Sequence, residues 1–300
     1  MTLREVWQWG GSRLHAAGIP DALLESEILL RHSLSEGLSA LRSPIFRSDR
    51  TPSEGLSRAM FFSRWDEQVP PLGLRRFRVN LNRRLKREPT AYILRHREFY
   101  GLGLFVDRRV LIPRPETELL VEKTIELVGE RPLRVMEAGT GCGAVAIALA
   151  HHLPLARLWA TEISPLALQV ARRNRRRYHL GHRLRLLQGD LLIPLSFQVD
   201  IIVANLPYVR DAEIDGLPPE VRDYEPRPAL AGGPDGLDVV RRLLTQVAQR
   251  LKPGGWLLLE VGYGQAKAVT ALVRGALGGC SIDMVADLAG IRRIVMAKRP

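Results

Sequence analysis

The chain has 300 residues, 46% hydrophobic and 25% charged, with two cysteines and a formal net charge of +12. That composition excludes a disordered or fibrous protein, and the seven-residue apolar run Ala144–Ala150, among the longest, falls well short of the roughly 18 residues of a membrane-spanning helix. Cys142 and Cys280 cannot build a disulfide framework and the N-terminus carries no apolar core with a small-residue cleavage site, so a reducing cytoplasm is the expected compartment.

At about 150 residues per domain the length suggests two domains. Of 44 basic residues only five are lysine, and the excess is even: 17 basic against 11 acidic groups in residues 1–100, 27 against 21 in residues 101–300. A basic protein is drawn to nucleic acid or to assemblies containing it. Without a basic tail, a general preference for arginine explains the charge equally well.

In chain order, the first 80 residues read as helical. Leu14, Ala17, Leu23, Leu24, Ile28, Leu29 and Leu30 recur at helical spacing, Pro20-Asp21 marks a helix start, and Ser43–Pro52 and Val69–Leu74 are proline-rich breaks. Nothing there resembles an active site, so docking is the expected role. Nine basic residues between Arg75 and Arg97 form either a solvated helix face or a contact surface for an anionic partner. Arg97–Phe105 and Arg109–Ile112 are β-rich and predict a hairpin. Pro113–Glu118 breaks the chain before a helix through Val128.

From Arg134 strands and helices alternate: strands over Arg134–Glu137, Leu158–Thr161, Arg183–Leu187, Asp200–Ala204 and Trp256–Val261; helices over Ala144–His151, Pro165–Arg177 and Leu237–Leu251. Interleaving of this kind implies an α/β fold with a parallel sheet covered on both faces. The expected layout is a helical docking domain over residues 1–82, a basic linker and β-hairpin over 83–112, and a catalytic domain over 113–300.

Four motifs carry chemistry. Between the first strand and helix of the alternating region lies Glu137-Ala-Gly139-Thr140-Gly141-Cys142-Gly143. Its glycines permit a tight turn and a close backbone approach to a ligand at a helix N-terminus. The spacing is G-x-G-x-G rather than the dinucleotide G-x-G-x-x-G, which suits S-adenosylmethionine, a ligand without pyrophosphate. Glu162 follows at the end of the next strand, where an acid can accept both ribose hydroxyls. Asp190 in Gly189-Asp190-Leu191 is placed for an adenine amino group.

The fourth motif, Asn205-Leu206-Pro207-Tyr208, directly follows an apolar strand. An amide or amino nitrogen is a poor nucleophile because its lone pair is delocalised. The Asn205 side-chain oxygen and a backbone carbonyl in the turn can accept its two N–H protons, orienting it and favouring lone-pair density on it. Pro207 restricts Leu206 to an extended conformation, and Tyr208 offers a flat face to a planar acceptor.

With these motifs the chain resembles the HemK-type release factor glutamine methyltransferases. The match runs from about Arg87 to Ala297 through Glu88–Leu94, Arg97–Gly101, Leu111–Glu118 (LIPRPETE), the glycine loop, N-x-P-Y, Tyr224-Glu225-Pro226 and Gly232–Leu237, with a fainter match near Glu27–Leu30. The resemblance implies a Rossmann-like S-adenosylmethionine-dependent methyltransferase sheet with a small N-terminal helical domain joined by a β-hairpin. It also implies methylation of the Gly-Gly-Gln glutamine of peptide chain release factors. Gly139, Thr140, Gly141, Cys142, Gly143 and Glu162 would hold the cofactor, with Asp190 and Leu191 beside its adenine. Asn205, Leu206, Pro207 and Tyr208 would hold the glutamine, with Asn205 also near the cofactor; Arg114–Glu118 and the Val209–Gly233 loop would wall the site.

Three positions depart from the family pattern: Leu206 replaces the usual first proline of N-P-P-Y, Glu162 stands where Asp is commoner, and Leu191 where an aromatic can stack. None of the seven histidines makes metal-ligand spacing with a cysteine or acid, so no metal is expected. Cys142 reads as a small filler rather than a nucleophile. No membrane partner is expected, and proximity to the ribosome or RNA stays open. The competing readings are glutamine methylation of a ribosomal protein, adenine-N6 methylation of DNA, and an inactive scaffold that binds S-adenosylmethionine and RNA.

Overall fold

Thr2 starts the first helix, α1 (Leu3–Ala16), with a capping box: its hydroxyl accepts from Glu5 N at 3.2 Å and its own N–H donates to the Glu5 carboxylate at 2.8 Å. Leu3, Val6, Gly10 and Leu14 share the buried face. A Cβ on Gly10 would lie 2.4 Å from Ser26 Oγ and 2.5 Å from Phe77 Cζ, so glycine is what lets α1 pack this closely. Around it stand α2 (Ala22–Ser39), α3 (Arg58–Ser63), α4 (Pro71–Leu85) and α5 (Thr90–Leu94), over a core that includes Leu29, Leu30, Phe61 and Phe77. The computed structural model describes residues 1–39 and 56–300 in two units, Met1–His96 with Pro219–Tyr224, and Arg97–Pro218 with Glu225–Pro300.

The expected helical N-terminal region is present. The break at Ser43–Pro52 lies outside the described residues; that at Val69–Leu74 is instead the start of α4, with Pro71 in its first turn, where a missing N–H costs nothing. Three of the nine basic residues of this segment pair with acids of their own unit. Arg83 makes a two-pronged bond to Glu88 (2.8 and 2.7 Å), Arg84 pairs with Glu25 and Glu220, and Arg87 with Glu220.

In the second unit, β1 (Arg97–Phe99) and β2 (Leu102–Leu104) form a two-residue hairpin whose turn residues, Tyr100 and Gly101, both have positive φ. The strand expected over Arg109–Ile112 does not form. Its N–H groups are not used in a ladder: Arg109 N goes to the Asp107 carboxylate at 3.1 Å, Val110 N to Asp107 O at 3.1 Å and Ile112 N to the Glu225 carboxylate at 3.1 Å.

After α6 (Glu118–Val128) come β3 (Arg134–Ala138), α7 (Ala144–His152), β4 (Arg157–Glu162), α8 (Pro165–Arg177), β5 (Leu184–Gln188) and β6 (Val199–Asn205). Then follow α9 (Pro219–Arg222), which belongs to the first unit, and α10 (Asp238–Arg250), β7 (Leu251–Glu260), α11 (Ala266–Ala276), β8 (Ser281–Ala286) and β9 (Arg292–Lys298). The sheet order is β5-β4-β3-β6-β7-β9-β8, parallel through β7 and antiparallel at β9 and β8. The final pair and α11 had no counterpart in the sequence reading. Strand order reverses between β3 and β6, and ligands of open α/β sheets bind beyond the carboxyl ends of the strands at such a switch point. The glycine loop leaves β3 there and the N-x-P-Y turn leaves β6.

Candidate active site

Gly139, Gly141 and Gly143 have φ of +77°, +56° and +90°, conformations that residues with a Cβ rarely adopt. The loop is tied on three sides. Gly139 N and Thr140 N both donate to Thr161 O, at 3.0 and 2.9 Å, fastening it to β4. The buried Glu137 carboxylate accepts from the Thr140 hydroxyl and from Ala146 N at 3.0 Å in the first turn of α7. Asn174 Nδ2 donates to Cys142 O at 2.9 Å. A Cβ on Gly141 would meet nothing within 4 Å, so the loop leaves open space where a ligand would lie. Burial pushes the Cys142 thiol up to about 12, which removes it as a nucleophile at neutral pH.

Glu162 ends β4 with both carboxylate oxygens on backbone N–H groups, Gly141 at 2.9 Å and Ser164 at 2.9 Å. A carboxylate has about four acceptor sites, so two remain for hydroxyls of a ligand. Asp190 is not free, because its carboxylate accepts from the Arg242 guanidinium on α10. The next residue, Leu191, is buried with φ +49°, a strained conformation for a branched side chain and of a kind that concentrates at ligand sites.

Leaving β6, Asn205 donates from Nδ2 to Thr117 Oγ1 at 3.0 Å. Leu206 turns inward. Its side chain is buried in the core beneath the sheet's end, and a Cβ on Gly139 would lie 3.1 Å from Leu206 Cδ2. The leucine that replaces proline therefore fills the space between the two motifs. The turn is backed by glycines: a Cβ on Gly232 would fall 2.8 Å from Pro207 O, and one on Gly236 2.3 Å from Tyr208 O. Gln265 Nε2 donates to Tyr208 O at 2.9 Å while its Oε1 accepts from Gly262 N at 3.0 Å. Burial pushes the Tyr208 hydroxyl above its usual range.

One wall is fastened by Glu225, whose carboxylate accepts from Arg114 Nη2 at 2.6 Å and from Ile112 N at 3.1 Å. This pair joins LIPRPETE to Y-E-P and sets Pro226, Pro228 and Ala229 on the rim of a cavity of about 430 Å³. Pockets for small ligands begin near 300 Å³. Of the residues singled out from the sequence, Gly139, Thr140, Gly141, Cys142, Glu162, Asp190, Leu191, Asn205, Leu206 and Pro207 line it, whereas Gly143 and Tyr208 do not. Gly143 caps α7 and Tyr208 packs behind the turn, where a Cβ on Gly262 would lie 2.8 Å from its ring. Sequence reasoning assigned no role to Glu137, Arg242, Gln265 or Glu260. Glu137 alone carried a signal, as the acid that opens the glycine motif.

Glu137 and Glu260 are both buried and both pushed up to about 7, with desolvation as the main cause. A carboxyl whose folded pKa lies above its unfolded value of 4.5 stays protonated in the native state while the unfolded chain releases its proton. Stability is therefore lost as pH rises from about 4.5 to 7, by about 3 kcal/mol per group. Urea unfolding of Glu137→Gln across that range is expected to lose about 2–3 kcal/mol less than wild type; equal losses would show that Glu137 is ionised throughout.

A glycine loop after β3, a strand-end acid after β4 and an N-x-P-Y turn after β6, converging at the switch point, define a Rossmann-like methyltransferase. A family model described as "Methyltransferase domain" matches residues 136–208, and one described as "PrmC N-terminal domain" matches residues 54–94. The chain is 40% identical over 301 residues to a release factor glutamine methyltransferase of Moorella thermoacetica, covering 100% of this chain and 99% of that one. It is 39% identical to the one from Geobacter sulfurreducens, covering 98% and 95%. The chain belongs to the release factor glutamine methyltransferase family. Among solved structures, the hMettl16 catalytic domain in complex with MAT2A 3′UTR hairpin 1 is similar with a TM-score of 0.55 at 16% identity, covering 74% of this chain and 83% of that one, a likeness of fold alone.

Proposed function

We propose that this chain transfers a methyl group from S-adenosylmethionine to the side-chain amide nitrogen of the Gly-Gly-Gln glutamine of a peptide chain release factor. The observation that carries the reading is that Asn205, Leu206 and Pro207 of the N-x-P-Y turn line the same cavity as the glycine loop.

The cavity suits the cofactor: Gly141 leaves open space at a helix N-terminus, and Glu162 keeps acceptor capacity beside it. Gly139, Thr140, Gly141, Cys142 and Glu162 hold it, with Gly143 capping α7 behind them, Asp190 and Leu191 near the adenine and Arg242 fixing the Asp190 carboxylate. When bound, S-adenosylmethionine supplies an electrophilic methyl on a sulfonium, so the products are the N-methyl amide, S-adenosylhomocysteine and a proton.

The protein positions the acceptor. Because Asn205 Nδ2 is engaged by Thr117, its Oδ1 is left to accept one amide N–H. The turn carbonyl accepts the second, Pro207 lines the slot, and Tyr208 supports the turn from behind. Two acceptors hold the nitrogen in one orientation and place negative potential where positive charge develops. Water takes the proton once the bond has formed. The N-terminal unit, which contains most of the match to the PrmC N-terminal domain, grips the release factor away from the reacting loop, so remote binding energy positions the glutamine. The site of action is the cytoplasm; no helix among the described residues is long and apolar enough to cross a membrane.

The test is transfer of labelled methyl from S-adenosylmethionine to a purified release factor, beside a copy with the Gly-Gly-Gln glutamine changed to alanine, a ribosomal extract and duplex DNA. Label on the intact release factor alone is expected. Label in extract or DNA instead would overturn the substrate, and binding of S-adenosylmethionine with no label anywhere would leave a scaffold.

A further inference from the structure

Glu260 ends β7 one strand over from Asn205, and the two are register partners in the parallel ladder. It is 5% exposed, its Oε2 is buried without a hydrogen-bond partner among the described residues, and it does not line the cavity. Thr117 and Asn205 lie beside it and favour its ionised form. Thr117 is itself buried and accepts from Asn205 Nδ2.

The polarity of this cluster follows from what each group can do. An ionised carboxylate only accepts. The Thr117 hydroxyl has a single proton, and a carboxylate beside it takes that proton, leaving the oxygen lone pairs to accept from Asn205. The Asn205 amide must then turn its NH₂ toward Thr117 and Glu260 and its Oδ1 toward the cavity. Reversing the amide would place a carbonyl oxygen against a buried acceptor with no proton between them.

We propose that Glu260 is the positioning residue that fixes the amide orientation of Asn205, so that the turn presents an acceptor rather than a donor to the substrate nitrogen. This rests on the proposed methylation of an amide, which needs an acceptor at that point. It also implies a pH dependence. Facing Glu260 are Arg293 from β9, which favours its ionised form, and Glu116 from the turn before α6, which opposes it, together with Thr117, Asn205 and Tyr208. Once protonated, Glu260 gains an O–H donor, and the amide is no longer held one way.

The test compares wild type with Glu260→Gln, whose amide both donates and accepts and so permits either orientation. Turnover of a release factor at pH 8 is expected to fall 10- to 100-fold, with S-adenosylmethionine binding changed less than threefold. The acid limb of the wild-type pH profile, near 7 where the carboxyl titrates, should vanish in the variant. Independently of any substrate, the Asn205 side-chain amide resonance, assigned by its loss in Asn205→Ala, should titrate with that midpoint in wild type and stay flat in Glu260→Gln. Wild-type turnover in a folded Glu260→Gln, or an Asn205 resonance that does not move between pH 5 and 9, would overturn the proposal. Absence of release factor methylation beside a normal Asn205 titration would fault the substrate assignment and leave the orienting role standing.

Discussion

Replacing Asn205 with alanine is expected to lower methyl transfer about 10²- to 10³-fold, the range seen when one preorganised polar group at a reacting centre is removed. Binding of S-adenosylmethionine should change little, because the glycine loop and Glu162 are tied to β4, Glu137 and Asn174 and not to Asn205. The fold should survive, since Asn205 is only partly buried and its side-chain bond to Thr117 lies at the edge of the cavity. The variant does leave the Thr117 and Glu260 acceptors short of a donor, so a modest fall in stability accompanies the kinetic loss. Single-turnover transfer with equilibrium binding of S-adenosylmethionine separates the two effects. A variant that methylates at the wild-type rate would remove Asn205 from the reaction and with it the central role given to the turn.

Gly236→Ala should be the most damaging single-methyl change near the site. Gly236 has φ +79°, and the added Cβ would lie 2.3 Å from Tyr208 O and 2.5 Å from Gln265 Nε2. Left-handed strain contributes about 1–2 kcal/mol and the forced repacking about 1–3 more, for a total of about 2–5 kcal/mol. The atom that must move is a backbone carbonyl of the N-x-P-Y turn, so activity should fall together with stability, by at least tenfold at a temperature where the variant is folded. Gly254→Ala is the control: φ is +74° there, but a Cβ would meet nothing within 4 Å. It should show the backbone strain alone and keep its activity. Equal unfolding midpoints for the two variants would mean that the close approach at Tyr208 relaxes without cost.

Much of this site was legible in the sequence because its motifs are local. Each of the glycine loop, Glu162, the Gly-Asp pair and N-x-P-Y sits at the end of a strand, and in a parallel sheet all such ends face one way, so finding the strands was enough to bring the motifs together. The helical bundle was legible for a similar reason, since spacing alone marks the buried faces of α1 at Leu14 and of α2 at Leu29 and Leu30. The strand at Arg109–Ile112 was misread because its apolar residues are buried by a loop whose N–H groups are satisfied by Asp107 and Glu225. The β8–β9 pair was missed because β8 is an edge strand with a weakly alternating, mostly exposed face.

By itself the sequence determined the class of chemistry: which residue types stand at which strand ends, and hence a methyl donor site beside an amide acceptor site. Only the tertiary structure decided how those residues are aimed. Glu260, Thr117 and Asn205 come from three distant parts of the chain, and no local pattern marks a strand-end acid as the group that orients an amide. Leu206, a departure when read in sequence, proves to be core packing against Gly139. The reason is physical. Spacing encodes which face of an element is buried, whereas the direction of a hydrogen bond in a buried cluster depends on which donors and acceptors the fold brings within about 3 Å of one another.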